Sequence, residues 1–216
     1  MRNALLIDLG GTNIRYAFFI ENTLSEISKE KITDKDFISF LAKLLEEEKN
    51  EIDCLVIAAA GPNNQSSISL TNRDLLINAS ELKTKLNLKE CLLLNDWEAV
   101  AQSLSEINQE SFLPIRNGIP SNENTILIGP GTGLGVTLII NGQIIPTEFG
   151  NTLSPTRGIL ENFNLRDNEK FFSLENILSG PGIEKLYEEK FERKLSSEKI
   201  ISSALSGSKD ELFIIE

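Results

Sequence analysis

Apolar positions in this chain gather into short continuous runs, each ending in glycine or a polar pair, with stretches of helical spacing between them. Leu5-Leu6-Ile7-Asp8-Leu9 stops at Gly10-Gly11-Thr12-Asn13, and Ile14-Arg15-Tyr16-Ala17-Phe18-Phe19-Ile20 begins at once. That pattern reads as strand, tight loop, strand. Residues 27–32 read as a third strand, followed by a helix opened by Thr33 or Asp34, with Phe37, Phe40, Leu41, Leu44 and Leu45 on its inward face. Residues 54–60, Cys-Leu-Val-Ile-Ala-Ala-Ala, form an unbroken apolar run closed by Gly61-Pro62, the signature of a strand buried on both faces. Residues 78–86 read as a helix with Asn78 as cap and Glu81 in the capping-box position. A further strand, residues 91–94, runs straight into Asn95-Asp96 and a helix carrying Ala99, Val100 and Leu104.

The second half repeats the opening. Thr125-Ile-Leu-Ile-Gly-Pro-Gly-Thr-Gly-Leu-Gly-Val-Thr-Leu-Ile-Ile140 aligns with it so that Gly11-Thr12 falls on Gly131-Thr132 and Ile20 on Ile140. Two such units at corresponding places predict a duplicated, two-lobed architecture. Asn141-Gly142 predicts a type I′ hairpin, and Ser173 is placed to cap a helix over residues 174–179 that contains Glu175. Gly180-Pro181-Gly182 then opens another helix through Leu186 and Phe191, and the last residues lie in an amphipathic helix. The polar stretch 105–124, with Pro114 and Pro120, marks the boundary: a first lobe over 1–108, a linker over 109–124 and a second lobe over 125–216.

Chemistry concentrates in the glycine loops. Glycines let the backbone approach a ligand, and successive N–H groups in such a turn form a concavity for anions, to which Thr12 and Asn13 add neutral donors. Gly10, Gly11, Gly131, Thr132 and Gly133 therefore suit a polyphosphate, although the same residues also suit a plain hairpin turn. Asp8 would repel that phosphate unless a divalent cation lay between them, which points to Mg²⁺ held with a nucleotide. Asn95 and Asp96 stand at the carboxyl end of a strand, where open α/β sheets bind ligands. Either could simply cap the helix that follows. Alternatively, Asp96 is a general base that takes the proton of an alcohol as its oxygen bonds to phosphorus. The loop Thr71-Asn72-Arg73-Asp74 brings short polar side chains beside another strand end.

Composition narrows the rest. A net charge of −11 argues against nucleic acid and anionic membrane as partners, since both need a basic footprint. No run is long enough to span a membrane and the N-terminus lacks signal-peptide character, so a cytoplasmic location is expected. With no histidine and only Cys54 and Cys91, each in an apolar run, a zinc site is not expected, and any general base at neutral pH is a carboxylate or lysine.

The segments 8–15 (Asp-Leu-Gly-Gly-Thr-Asn-Ile-Arg), 94–100 (Leu-Asn-Asp-Trp-Glu-Ala-Val), 129–135 (Gly-Pro-Gly-Thr-Gly-Leu-Gly) and 178–182 (Leu-Ser-Gly-Pro-Gly) together resemble the bacterial glucokinases, within the sugar kinase, Hsp70 and actin superfamily. The resemblance runs over nearly the whole chain. It implies an α/β fold of ribonuclease H-like, duplicated, two-lobed type, with the second lobe incomplete because the family continues past residue 216. It also implies transfer of the ATP γ-phosphoryl group to the 6-hydroxyl of glucose. In that scheme Asp96 is the base, Asn95, Asn72, Glu148, Asn151 and Glu175 contact the sugar, and Asp8 with the two glycine loops holds Mg-ATP. Where these enzymes usually read Glu-Gly-Gly-His, this chain reads Glu148-Phe149-Gly150-Asn151, which puts the choice of hexose in question. A catalytically impaired sugar-binding or regulatory protein, or an inactive fragment, is the alternative, and an uncovered edge at residues 125–129 predicts self-association or a homodimer.

Overall fold

The computed structural model describes residues 2–10, 13–31, 36–61, 64, 66–70, 75–115, 118–119 and 123–215, and these form two compact units, Met1–Ile115 and Arg116–Glu216. The first unit contains, in chain order, β1 (Ala4–Leu9), β2 (Asn13–Ile20), β3 (Thr23–Leu24), β4 (Ser28–Lys31), α1 (Phe37–Glu47), β5 (Cys54–Ala59), β6 (Ser67–Ser69), β7 (Leu76–Asn78), α2 (Ala79–Lys85), β8 (Glu90–Asn95) and α3 (Asp96–Ser103). Its main sheet runs β3-β2-β1-β5-β8, with β4 also on β2. The first two strands are antiparallel, and β1, β5 and β8 are parallel.

The apolar runs explain this order. Leu5, Ile7 and Leu9 of β1 alternate toward the same core as Leu55, Ile57 and Ala59 of β5, and α1 covers it with Phe37, Leu41 and Leu44. Burying each of these larger side chains contributes roughly 1.5–3 kcal/mol. The helix predicted to open at Thr33 or Asp34 has Phe37 as its first residue; residues 32–35 lie outside the described residues, so the predicted caps and the last residue of the 27–32 strand do too. In α2, Asn78 Oδ1 accepts from the Glu81 N–H at 3.0 Å as expected of a cap, while the Glu81 carboxylate is drawn forward to Lys85 at 2.6 Å.

The second unit opens with a meander, β9 (Thr125–Pro130), β10 (Leu134–Ile140) and β11 (Gln143–Thr147), ordered β11-β10-β9. Asn141 and Gly142 join β10 to β11 with φ of 50° and 76°, the positive pair that a type I′ turn requires. Thereafter come α4 (Arg157–Asn162), α5 (Glu175–Leu178), α6 (Gly180–Phe191), α7 (Ser197–Leu205) and α8 (Lys209–Ile215). These helices enclose Leu160, Phe171, Ile177, Leu186, Tyr187, Ile200 and Ile214. The expected helix over 174–179 is a single turn, because Ser179 leaves it in extended conformation to cap α6, its Oγ accepting from the Gly182 N–H at 3.1 Å. Ser173, the expected cap, still has its Oγ 3.4 Å from the Asn176 N–H.

Candidate functional site

Parallel strands β1, β5 and β8 end level with one another, Leu9 pairing with Ala59 and Ala59 with Asn95. Gly10, Ala60-Gly61 and Asp96, the residues that follow, line the carboxyl edge of the sheet, where folds of this layering hold ligands. Asn95 turns out to be the cap of α3. Its Oδ1 accepts from Trp97 N at 2.9 Å and Glu98 N at 3.3 Å, and Glu98 Oε2 accepts from Asn95 N at 3.1 Å, a complete capping box. Its Nδ2 also donates to Gly61 O at 3.3 Å, so that the side chain, only 7% exposed, locks β8 to the end of β5. An amide nitrogen carries two hydrogens, and the second is the means by which Asn95 can meet a hydroxyl.

Asp96 is the first residue of α3 and is half-buried, with Oδ1 accepting from Trp97 N at 2.9 Å. Burial raises its pKa above the ordinary carboxylate value, hydrogen bonds from the Trp97 and Asp96 N–H groups pull against that, and the charge of Asp8 adds a further upward push. A carboxylate shifted toward neutrality is a better proton acceptor than an ordinary one, provided it is still ionised at the working pH. Asp8 itself lies directly across the hairpin from Arg15, whose guanidinium donates to Oδ2 at 2.6 Å. The repulsion between Asp8 and a phosphate, from which a cation was inferred, is thus already countered by Arg15. Gly10 N donates to Asn13 O at 3.0 Å and closes the loop; Gly11, Thr12 and Asn72 lie outside the described residues.

In the second unit three residues, Gly131–Gly133, lie between the paired strand ends Pro130 and Leu134, one fewer than the four between Leu9 and Ile14 in the first. Gly131 N donates to Gly133 O at 2.9 Å, and Gly180 N, at the start of α6, donates to Gly131 O at 2.8 Å. Glu175 Oε2 accepts from Leu134 N at 2.9 Å, and a β-carbon on Gly133 would lie only 2.8 Å from that oxygen. Glu148 precedes a 3-10 turn, Phe149–Asn151, that ends in Asn151; both are exposed and are joined by Asn151 N donating to Glu148 O at 3.0 Å. The turn sits hard on β10, since a β-carbon at Gly150 would come within 2.2 Å of Leu134 O. Leu134 is therefore the point about which the loop, Glu175 and the Glu148–Asn151 turn come together.

Three participants went unforeseen: Arg15, the Gly61 carbonyl and the Leu134 N–H. Hairpin pairing places residue 15 opposite residue 8, so the first was readable; the other two join positions far apart in sequence. Among the described residues no cluster of three or more metal-ligating side chains occurs, and no helix is long and apolar enough to cross a membrane.

A family model described as Glucokinase matches residues 5–211. The chain belongs to the glucokinase family. A glucokinase of Pseudomonas paraeruginosa is 30% identical over 86% of this chain, which spans 58% of that relative's length. A glucokinase of Colwellia psychrerythraea is 29% identical over 94% of this chain and 68% of its own. In three dimensions the chain is similar to a glucokinase from an Antarctic psychrotroph (TM-score 0.73, 21% identity, 100% of this chain and 74% of the other) and to one from Balamuthia mandrillaris described in complex with glucose (0.70, 22%, 99% and 72%). These likenesses establish an actin-like sugar-kinase fold. As a glucokinase-family chain it carries its two glycine loops at the hairpin turns β1–β2 and β9–β10, and Asp96 at the end of the parallel strand β8.

Proposed function

We propose that the chain acts in ATP-dependent phosphorylation of glucose or a similar hexose at the 6-hydroxyl, in the cytoplasm. The observation that carries this reading is Asp96: a half-buried carboxylate with a raised pKa, at the carboxyl end of a parallel strand, in a family of glucose kinases. Asp96 accepts the hydroxyl proton as the oxygen attacks the γ-phosphorus. Asn95, Asn72, Glu148, Asn151 and Glu175 orient the sugar by hydrogen bonds. Gly10, Gly11, Thr12 and Asn13, with Gly131, Thr132 and Gly133, cradle the phosphates through backbone N–H groups.

Mg²⁺ fits the donors available, because it takes one or two carboxylates and completes its shell with phosphate oxygens and water. Asp8 is such a carboxylate, engaged by Arg15 through Oδ2. When bound, the ion supplies charge neutralisation on the transferring phosphoryl group. We assign residues 1–108 and 125–216 to the two lobes and 109–124 to the linker, supported by the division into compact units at Ile115. Self-association through β9 completes the proposal.

A coupled assay for ADP release with glucose, run beside calorimetry of glucose, tests it. Glucose-dependent ADP release is the expected result; its absence overturns the proposal. The motif departure at Asn151 favours one other reading, a sugar-binding protein without turnover, and that reading predicts a calorimetric signal with no ADP release.

A further inference from the structure

Glu175 is expected from the family resemblance to touch the sugar, yet its Oε2 is committed to a backbone N–H at the edge of the second glycine loop. We propose that Glu175 is a positioning residue for the phosphate-binding loop Gly131–Gly133, and that it works as a hydrogen-bond acceptor at the expense of its own charge. This rests on the kinase reading above.

The loop has two anchors. Its entry is held by Gly180 N donating to Gly131 O at 2.8 Å, and its exit by Leu134 N donating to Glu175 Oε2 at 2.9 Å. Glu175 opens α5, and Gly180 opens α6 after the Ser179 cap, so both anchors belong to one short stretch of chain. That stretch is itself tightly joined: a β-carbon on Gly182 would lie 2.8 Å from the backbone of Glu175 and Asn176. With the Gly131 N–H donated to Gly133 O and the Leu134 N–H to Glu175, the N–H groups of Thr132 and Gly133 donate to no acceptor among the described residues. These two, with the Thr132 hydroxyl, are the donors that an anion can use.

Electrostatically the arrangement is costly. A carboxylate whose oxygen would lie 2.8 Å from a β-carbon on Gly133 repels any phosphate seated on that loop. Its hydrogen bond fixes the loop in the conformation that presents Thr132 and Gly133. A glutamine amide supplies the same acceptor without the charge. A sugar ligand and a loop anchor therefore respond oppositely to the same conservative change.

The test compares the wild-type chain with Glu175→Gln and Glu175→Ala, using calorimetry with Mg-ATP, with inorganic tripolyphosphate and with glucose, together with hydrogen exchange at the Leu134 amide. Tripolyphosphate keeps adenine contacts out of the measurement. For Glu175→Gln, we expect Leu134 exchange as slow as wild type and tripolyphosphate affinity raised about threefold or more. For Glu175→Ala, which removes the charge and the acceptor together, we expect Leu134 exchange faster by about fivefold or more and tripolyphosphate affinity below that of Glu175→Gln by a similar factor, from loss of one hydrogen bond. Wild-type chain that fails to bind tripolyphosphate, or a Gln variant that loses glucose and leaves polyphosphate binding unchanged, overturns the proposal and returns Glu175 to a pure sugar ligand. If the wild type releases no ADP with glucose while the tripolyphosphate series and the Leu134 exchange behave as stated, the kinase reading falls and the anchoring role of Glu175 stands.

Discussion

Tyr187 donates its phenol hydrogen to Glu211 Oε1 at 2.6 Å, joining α6 to α8 inside the helical core of the second unit. Ser208 donates to the other oxygen of the same carboxylate. These two bonds, Ser208 first, hold the Glu211 pKa below its ordinary value, while burial and the adjacent carboxylate push the Tyr187 phenol up to about 12 and keep it a donor. The charged groups packed nearby are Arg193, which lies over the Tyr187 ring, and its ion-pair partner Asp210.

A depressed folded-state pKa contributes stability above the unfolded-state value of about 4.3, and that contribution is lost as pH falls toward the folded value. Urea midpoints measured from pH 7 to pH 3 should thus fall in the acid range, and Glu211→Gln should flatten that fall. Equal slopes in the two proteins would remove Glu211 from the acid response.

Asp96→Asn should trade activity for stability. A general base contributes about 10²–10⁴ in rate, and kcat should drop by that order while sugar affinity holds. The Asp96 pKa is raised by burial and by Asp8, so its stabilising contribution is present at acid pH and is lost as pH rises through the folded value. At neutral pH the ionised side chain costs stability, and the amide, which keeps the acceptor for Trp97 N, should unfold at a higher temperature. A variant with more than half the wild-type kcat excludes Asp96 as the base. The wild-type kcat/KM should also fall on its acid limb at a pH above the ordinary carboxylate value, as Asp96 takes up its proton.

The link between Asn95 and Gly61 predicts an order of effects. Asn95→Ser keeps a capping oxygen but drops the bond to Gly61 O, at a cost of about 1 kcal/mol. Asn95→Ala loses the cap as well, adding about 1 kcal/mol more. Gly61→Ala attacks the same joint from the other side, because the new β-carbon would meet Ser69 O at 2.1 Å with φ at +148°; about 1–3 kcal/mol is expected. Urea denaturation gives the ranking, and an alanine at 61 as stable as glycine would show that Ser69 yields freely.

On the edge of the meander, Ile126 and Ile128 of β9 are 63% and 55% exposed, and one side of the strand has no neighbour among the described residues. Unpaired N–H and C=O groups beside apolar side chains recruit other chains. Sedimentation of the wild type should report association that rises with concentration, and Ile128→Lys should reduce it. A monodisperse wild-type monomer would dispose of the idea.

Sequence made the long apolar runs legible, and β1, β5 and β8 follow the runs read there, but burial is complete on one face only: β1 and β5 alternate buried with half-buried positions, and Leu92 of β8 is exposed, so the expectation of burial on both faces is not met. The Asn141-Gly142 turn was equally plain, since few residue pairs accept two positive φ values. The β6–β7 hairpin was not, because strands of three residues carry too little periodicity to notice. Helix α7 is similar: only Ile200 and Ala204 face the core, one pair at i, i+4. At the site, Asp8–Arg15 follows from counting back from the four residues between Leu9 and Ile14. The Glu175–Leu134 bond spans 41 residues and arises only once α5 has packed against the meander.

The level ending of β1, β5 and β8 dictates where this chain tolerates changes in length. Removing one residue from β8 would retract Asp96 by about 3.3 Å and turn the strand's side chains to opposite faces. Asn95 would then point away from Gly61, and helix α3 would start without its cap. At the other end of the same strands, the connection at Lys49-Asn50, ahead of Glu51, whose carbonyl accepts from Asn3, and Ile52, which packs on the core, can lengthen for little more than loop entropy. A reporter peptide or purification tag spliced in there should leave the ligand edge undisturbed, whereas the short loops at Gly10 and Gly131 admit none.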